Sequence, residues 1–239
     1  MTVKDKPLDM MPTATAQRPL AGLTVLVVED SRFASEALRL LCLRSGARIR
    51  RADTLHAAHR HLKVYRPNVV IVDLGLPDGS GTDLIAELNN ARPRVDVILG
   101  MSGDSGAEPL SEAAGADGFI EKPISNLGAF QECVLSCLPD DFRPSGLHTV
   151  NDTDIAPDPE TLRDDFTHIA EILTADHGEN MLDYIAQFLS GIARSSGDTE
   201  MESAAQSLAF DREQGLPFQT ALARIENLLR NRIEPRKAG

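Results

Sequence analysis

From residue 23 onward the chain alternates short apolar runs with amphipathic stretches. Residues 23–28 are apolar apart from Thr24, which predicts a strand buried on both faces. In the stretch FASEALRLLCLRSG, Phe33, Ala37, Leu40 and Leu41 recur at helical spacing and Gly46 marks the stop. ARIRRAD reads as an arginine-rich edge strand, and TLHAAHRHLKVY as a helix capped by Thr54. NVVIVDL, VDVILGMS and DGFIEKP are three further strands, with helices expected near 82–91, 106–115 and 125–138. Five strands alternating with helices imply βαβ units, hence an α/β domain with a doubly wound, five-stranded parallel sheet. Functional residues of such sheets belong at the carboxyl ends of strands, where the strand order reverses.

After Leu138 the texture changes. Residues 139–159 are rich in Pro and Asp and predict a linker. Beyond them lie four amphipathic stretches, near 160–176, 179–195, 198–213 and 217–233, with Gly178, Gly197 and Gly215 as stops. Phe166, Ile169, Ile172 and Leu173 make one apolar stripe. Leu182, Ile185, Phe188, Leu189 and Ile192 make a second, and Leu222, Ile225, Leu228 and Leu229 a third. The expected organisation is a flexible tail over 1–21, an α/β domain over 22–138, a linker over 139–159 and a small all-α domain over 160–239. That last domain is either self-contained or completed by a second copy.

Charge separates the halves further. Residues 1–144 carry 16 Lys/Arg against 19 Asp/Glu, whereas residues 145–239 carry 8 against 17. The field of the helical half therefore opposes a nucleic-acid partner. Three cysteines, Cys42 on one helix and Cys133 and Cys137 four apart on another, are an odd number that argues against a disulfide framework, and they read as small buried apolar groups. No apolar run approaches the roughly 20 residues of a membrane span. The first twenty residues lack a continuous apolar stretch after their lysines, so a cytoplasmic location is expected. His56, His59 and His61 crowd one helix, but no acidic or Cys partner stands beside them in the sequence.

The chemistry gathers at strand ends. Glu29 and Asp30 end the first strand, Asp73 the third, Ser102 and Gly103 follow the fourth, and Lys122-Pro123 closes the fifth. Three crowded carboxylates raise one another's pKa, and a hard divalent cation relieves them. Mg²⁺ suits such a site because it binds through one or two carboxylates together with phosphate oxygens. An aspartate held there can attack a phosphoryl group, while a lysine ammonium neutralises the transferring oxygens. Pro77, Gly79 and Gly81 fit a tight turn leading away from Asp73.

VVEDS around Glu29 and Asp30, IVDLGLPDGSG around Asp73, MSG at Ser102 and GFIEKP ending in Lys122-Pro123 together resemble the receiver domains of bacterial two-component response regulators, over about residues 22–138. The resemblance implies a flavodoxin-like receiver that accepts phosphate on Asp73 from a histidine kinase or phosphotransfer protein. It implies Mg²⁺ held by Glu29, Asp30, Asp73 and the carbonyl of Gly75, Lys122 paired with the phosphoryl group, and a cis Lys122–Pro123 bond. Ser102 and Phe119 match the pair of switch residues. Gly75 and Asp104 match positions whose side chains tune how long the phosphate lasts.

The helical half carries no GGDEF-, EAL- or HD-type motif, so a cyclic-dinucleotide enzyme is not expected. The motif of a histidine-phosphotransfer bundle is also missing around His168 and His177. The leading expectation is a non-enzymatic regulator whose helical domain binds a protein partner or a second copy in a homodimer. A phosphorylation-controlled DNA- or RNA-binding regulator is the alternative.

Overall fold

The structure, a computed structural model, describes residues 14–104, 106–139, 142, 153–175 and 180–234. The first half runs β1 (Thr24–Val28), α1 (Arg32–Arg44), β2 (Arg48–Ala52), α2 (Leu55–Val64), β3 (Val69–Asp73), β4 (Gly75–Leu76), β5 (Gly79–Ser80), α3 (Gly81–Asn90), β6 (Val97–Ser102), α4 (Glu108–Ala114), β7 (Gly118–Glu121) and α5 (Leu127–Cys137). The main sheet has the order β2-β1-β3-β6-β7, every pair parallel. β2 is the arginine-rich edge. The order reverses between β1 and β3, so Asp30 and Asp73 meet where the loops diverge and leave a crevice.

The strand residues of β3 and β6 are buried throughout, as their unbroken apolar runs demand. One apolar layer joins Val25, Val27, Ile71 and Leu99 to Leu38 and Leu41 of α1 and Phe130 and Val134 of α5. The opposite layer joins Leu26, Val28, Val70 and Val72 to Ala58 of α2 and Leu84, Ile85 and Leu88 of α3. Side-chain caps start the helices: Ser31 accepts from the Ala34 amide, Thr54 from Ala57, and Asn126 from Ala129.

Among the described residues, four helices follow: α6 (Pro159–Thr174), α7 (Asn180–Ser196), α8 (Thr199–Glu213) and α9 (Gln219–Ile233). They close their own core from Phe166 and Ile169, Ile185, Leu189 and Ile192, Met201, Ala205 and Leu208, and Ile225 and Leu229. On α9 it is Ala221 rather than Leu222 that is fully buried. Gly46, Gly197 and Gly215 follow their helices with positive φ, as the stops require. Gly178 and His177 lie outside the described residues.

One expectation is extended and two need correction. The turn at Pro77 contains a two-stranded hairpin, β4–β5, which two-residue strands do not announce in sequence. Leu20, assigned to a flexible tail, is fully buried in the layer under α1 and α5. Ile155, assigned to the linker, is 4% exposed in that same layer. Its amide donates to the Ser125 carbonyl and the Thr153 carbonyl accepts from Leu127, so the linker's end is stitched to the start of α5.

Candidate functional site

β1 and β3 deliver Glu29, Asp30 and Asp73 to one pocket, with ligand oxygens within 4.8 Å of one another. β7 adds Lys122, whose Nζ lies 2.7 Å from Glu29 Oε2 and 3.1 Å from Asp73 Oδ2. Its backbone is fixed by donation from the Lys122 amide to the Ser102 carbonyl, and the Lys122–Pro123 bond is cis. Ser102 is buried at the end of β6, where its hydroxyl accepts from the Asp104 amide at 3.1 Å. At Gly81 an added Cβ would stand 2.8 Å from the Asp73 carbonyl carbon, so only glycine lets α3 begin this close to β3.

Burial dominates the electrostatics. Desolvation pushes Glu29 up to about 7, its attraction to Lys122 opposing this only in part. Desolvation and then the charge of Asp73 push Asp30 up to about 7. Desolvation likewise carries Asp73 to about 7, against the pull of Lys122 and a hydrogen bond from the Gly75 amide. Burial alone would lower the Lys122 ammonium, but Asp73 and Glu29 outweigh it and hold the lysine charged. Asp30 Oδ1 is buried without a hydrogen-bond partner among the described residues. Three mutually repelling carboxylates and one open buried oxygen fit a hard divalent cation. Asp30 and Asp73 would hold it, with Glu29, already engaged by Lys122 and the Ser31 amide, at its side.

The residues that sequence reading missed come from the helical half. Tyr184 on α7 donates its hydroxyl to Asp30 Oδ2 at 2.6 Å. Arg194, also on α7, donates to the Gly103 carbonyl and pairs with Glu202 of α8. A Cβ added to Gly103 would lie 3.3 Å from the Gly191 Cα, and one added to Gly75 would stand 2.8 Å from Gln187 Oε1. Tyr184, Gln187, Gly191 and Arg194 therefore form one helical stripe over the site, opposite the apolar stripe that sequence reading found. Asp165 of α6 accepts from the Ser31 hydroxyl and the amides of Arg32 and Phe33, at 2.8, 2.8 and 3.1 Å. It thus supplies an anion to the N-terminus of α1.

The other candidates divide. Gly75 and Asp104 line the same cavity, of about 600 Å³, between the sheet end and α7. Phe119 sits partly buried on β7 and is not among the residues lining it. His59 meets Glu87 of α3 at 2.7 Å, an acidic neighbour that sequence distance concealed. All three cysteines are free. Burial pushes Cys42 up to about 12, in keeping with an inert core thiol.

Known proteins resemble the first half of the chain. Residues 25–131 match the family model described as response regulator receiver domain. The chain is 31% identical over 100 residues to the KDP operon transcriptional regulatory protein KdpE of Escherichia coli strain K12, covering 42% of this chain and 44% of that one. It is 31% identical over 104 residues to the virulence transcriptional regulatory protein PhoP of Salmonella typhimurium strain LT2, covering 43% and 46%. The chain thus spans less than half the length of these curated relatives. Among solved structures, a putative response regulator from Chloroflexus aurantiacus matches at 25% identity and TM-score 0.46, over 48% of this chain and 96% of that one. The expectation that a nucleic-acid partner is disfavoured finds no support in relatives named transcriptional regulators. Among the described residues, no helix is long and apolar enough to cross a membrane.

Proposed function

We propose that Asp73 accepts a phosphoryl group from a histidine kinase or phosphotransfer protein, and that the chain signals through its helical bundle to a protein partner or a second copy. In this reading an Asp73 oxygen attacks phosphorus, the donor's bond to phosphorus breaks, and the Lys122 ammonium balances charge on the transferred oxygens. Ser102 offers its hydroxyl to the new group, and Phe119 answers from β7. Mg²⁺, held by Asp30, Asp73 and the Gly75 carbonyl with Glu29 alongside, would supply charge neutralisation when bound. A cytoplasmic location suits such a donor. We take residues 22–138 as the receiver and 160–239 as the output domain.

The observation that carries this reading is the placement of α7 against the acidic pocket, with Tyr184 on Asp30. A dianion gained at Asp73 arises beneath that helix and must change what holds it there. Mass in solution, measured with and without beryllofluoride and Mg²⁺, tests it. A change in assembly, or newly gained binding of a partner, is expected. An unaltered helical bundle in both states, judged by hydrogen exchange, would sink it.

A phosphorylation-controlled DNA- or RNA-binding regulator is the second reading, favoured by the names of the relatives. Against it stands the charge of residues 145–239, 8 basic against 17 acidic groups. Salt-sensitive gel shifts with genomic fragments would establish it in place of the first.

A further inference from the structure

We propose that Gln187 of α7 is a positioning residue for hydrolysis of the Asp73 aspartyl phosphate, so that the docked helical bundle limits the lifetime of its own signal. The inference rests on the reading of Asp73 as phosphoacceptor. Gly75 follows Asp73 by two residues, and its amide donates to the Asp73 carboxylate. The space that a side chain at position 75 would take holds the Gln187 amide instead. An added Cβ there would lie 2.6 Å from Gln187 Cδ and 2.8 Å from its Oε1. The receiver thus offers a gap beside its acceptor, and another domain fills the gap with a polar group.

The placement of that group is fixed from both ends of α7. Tyr184, one turn before Gln187, is held by Asp30, and Arg194, two turns after it, is held by the Gly103 carbonyl. Gly103, at which an added Cβ would lie 3.3 Å from the Gly191 Cα, lets the helix backbone come close between these anchors. The α7 stripe does not seal the pocket. A cavity of about 600 Å³ remains, lined by Asp73, Gly75, Ser102, Lys122 and Gln187. Water occupies roughly 30 Å³ per molecule in the liquid, so the cavity holds several.

Hydrolysis needs one of those waters oriented toward phosphorus. A glutamine amide can do this, because its oxygen accepts a proton from water while its NH₂ donates to a phosphoryl oxygen. The water oxygen bonds to phosphorus as the bond from phosphorus to the Asp73 oxygen breaks. Asp73 leaves as carboxylate with the electron pair. Both water protons stay with the released dihydrogen phosphate until one is lost to solvent.

The test uses the full chain, labelled with acetyl phosphate and Mg²⁺ and then freed of donor. Release of inorganic phosphate is followed for the wild type, Gln187→Ala, Gln187→Leu and Gln187→Asn. Gln187 is solvent-exposed, so these variants fold, and hydrogen exchange along α7 of the unlabelled protein checks that the substitution itself leaves docking unaltered. Ala and Leu are expected to slow release about tenfold alike, and Asn to recover part of the rate. Decay unchanged in Ala and Leu would overturn the inference. So would faster decay in Ala with normal decay in Leu, the mark of a side chain that only shields. Failure of the wild type to label at all overturns the phosphoacceptor reading itself, an outcome distinct from normal labelling with unaltered decay.

Discussion

Tyr184 and Asp30 stand 154 residues apart in sequence, and the hydroxyl of the first donates to Oδ2 of the second at 2.6 Å. The oxygen engaged belongs to a carboxylate suited to hold the cation, so hydroxyl and cation compete for its electrons. Tyr184→Phe is expected to raise Mg²⁺ affinity about fivefold and to lower stability of the cation-free protein by about 1–2 kcal/mol. Calorimetric titration reads the first and chemical denaturation the second. Equal Mg²⁺ affinity in both proteins would show that the tyrosine does not compete.

Asp73→Asn is expected to abolish labelling by acetyl phosphate with Mg²⁺, because an amide is no nucleophile toward phosphorus. Lys122 keeps Glu29 as its partner at 2.7 Å, so the variant stays folded. Label retained on another residue would refute the assignment.

The acidic cluster makes a pH prediction for the cation-free protein. Glu29, Asp30 and Asp73 are raised by burial from ordinary carboxylate values to about 7 in the folded chain. A raised folded pKa contributes stability that is fully present below the unfolded value, roughly 4, and is lost as pH rises through the folded one. Thermal midpoints in EDTA should therefore fall from about pH 5 to about pH 8, and Mg²⁺ should flatten that decline. Curves that coincide with and without Mg²⁺ would argue against a cation in this pocket.

Asp165 joins the halves by a different device. Its carboxylate takes three hydrogen bonds from Ser31, Arg32 and Phe33 at the start of α1. Asp165→Ala leaves those donors unmet, those of Ser31 and Phe33 buried, at a cost of about 2 kcal/mol. Amide exchange at Arg32 and Phe33 should quicken, together with that of α6. Protection unchanged there would mean that the halves are held by other contacts.

Much of the receiver could be read from residue order. A parallel sheet covered on both faces writes itself as unbroken apolar runs, and βαβ spacing then puts Glu29, Asp30, Asp73, Ser102 and Lys122 at strand ends. The helices of the second half were equally plain, because each buries one stripe against the others. Leu20 and Ile155 were misread because one large apolar residue in a short proline-bearing stretch has no period to reveal its burial.

What residue order determined, then, was each domain's own core and the chemistry at the sheet's edge, since both follow from local periodicity. Tertiary structure alone decided that α7 turns Tyr184, Gln187 and Arg194 onto that edge and that Asp165 caps α1. The physical reason is that polar stripes look the same in sequence whether they face water or a partner surface. Only the packing of one folded domain on another tells these two apart.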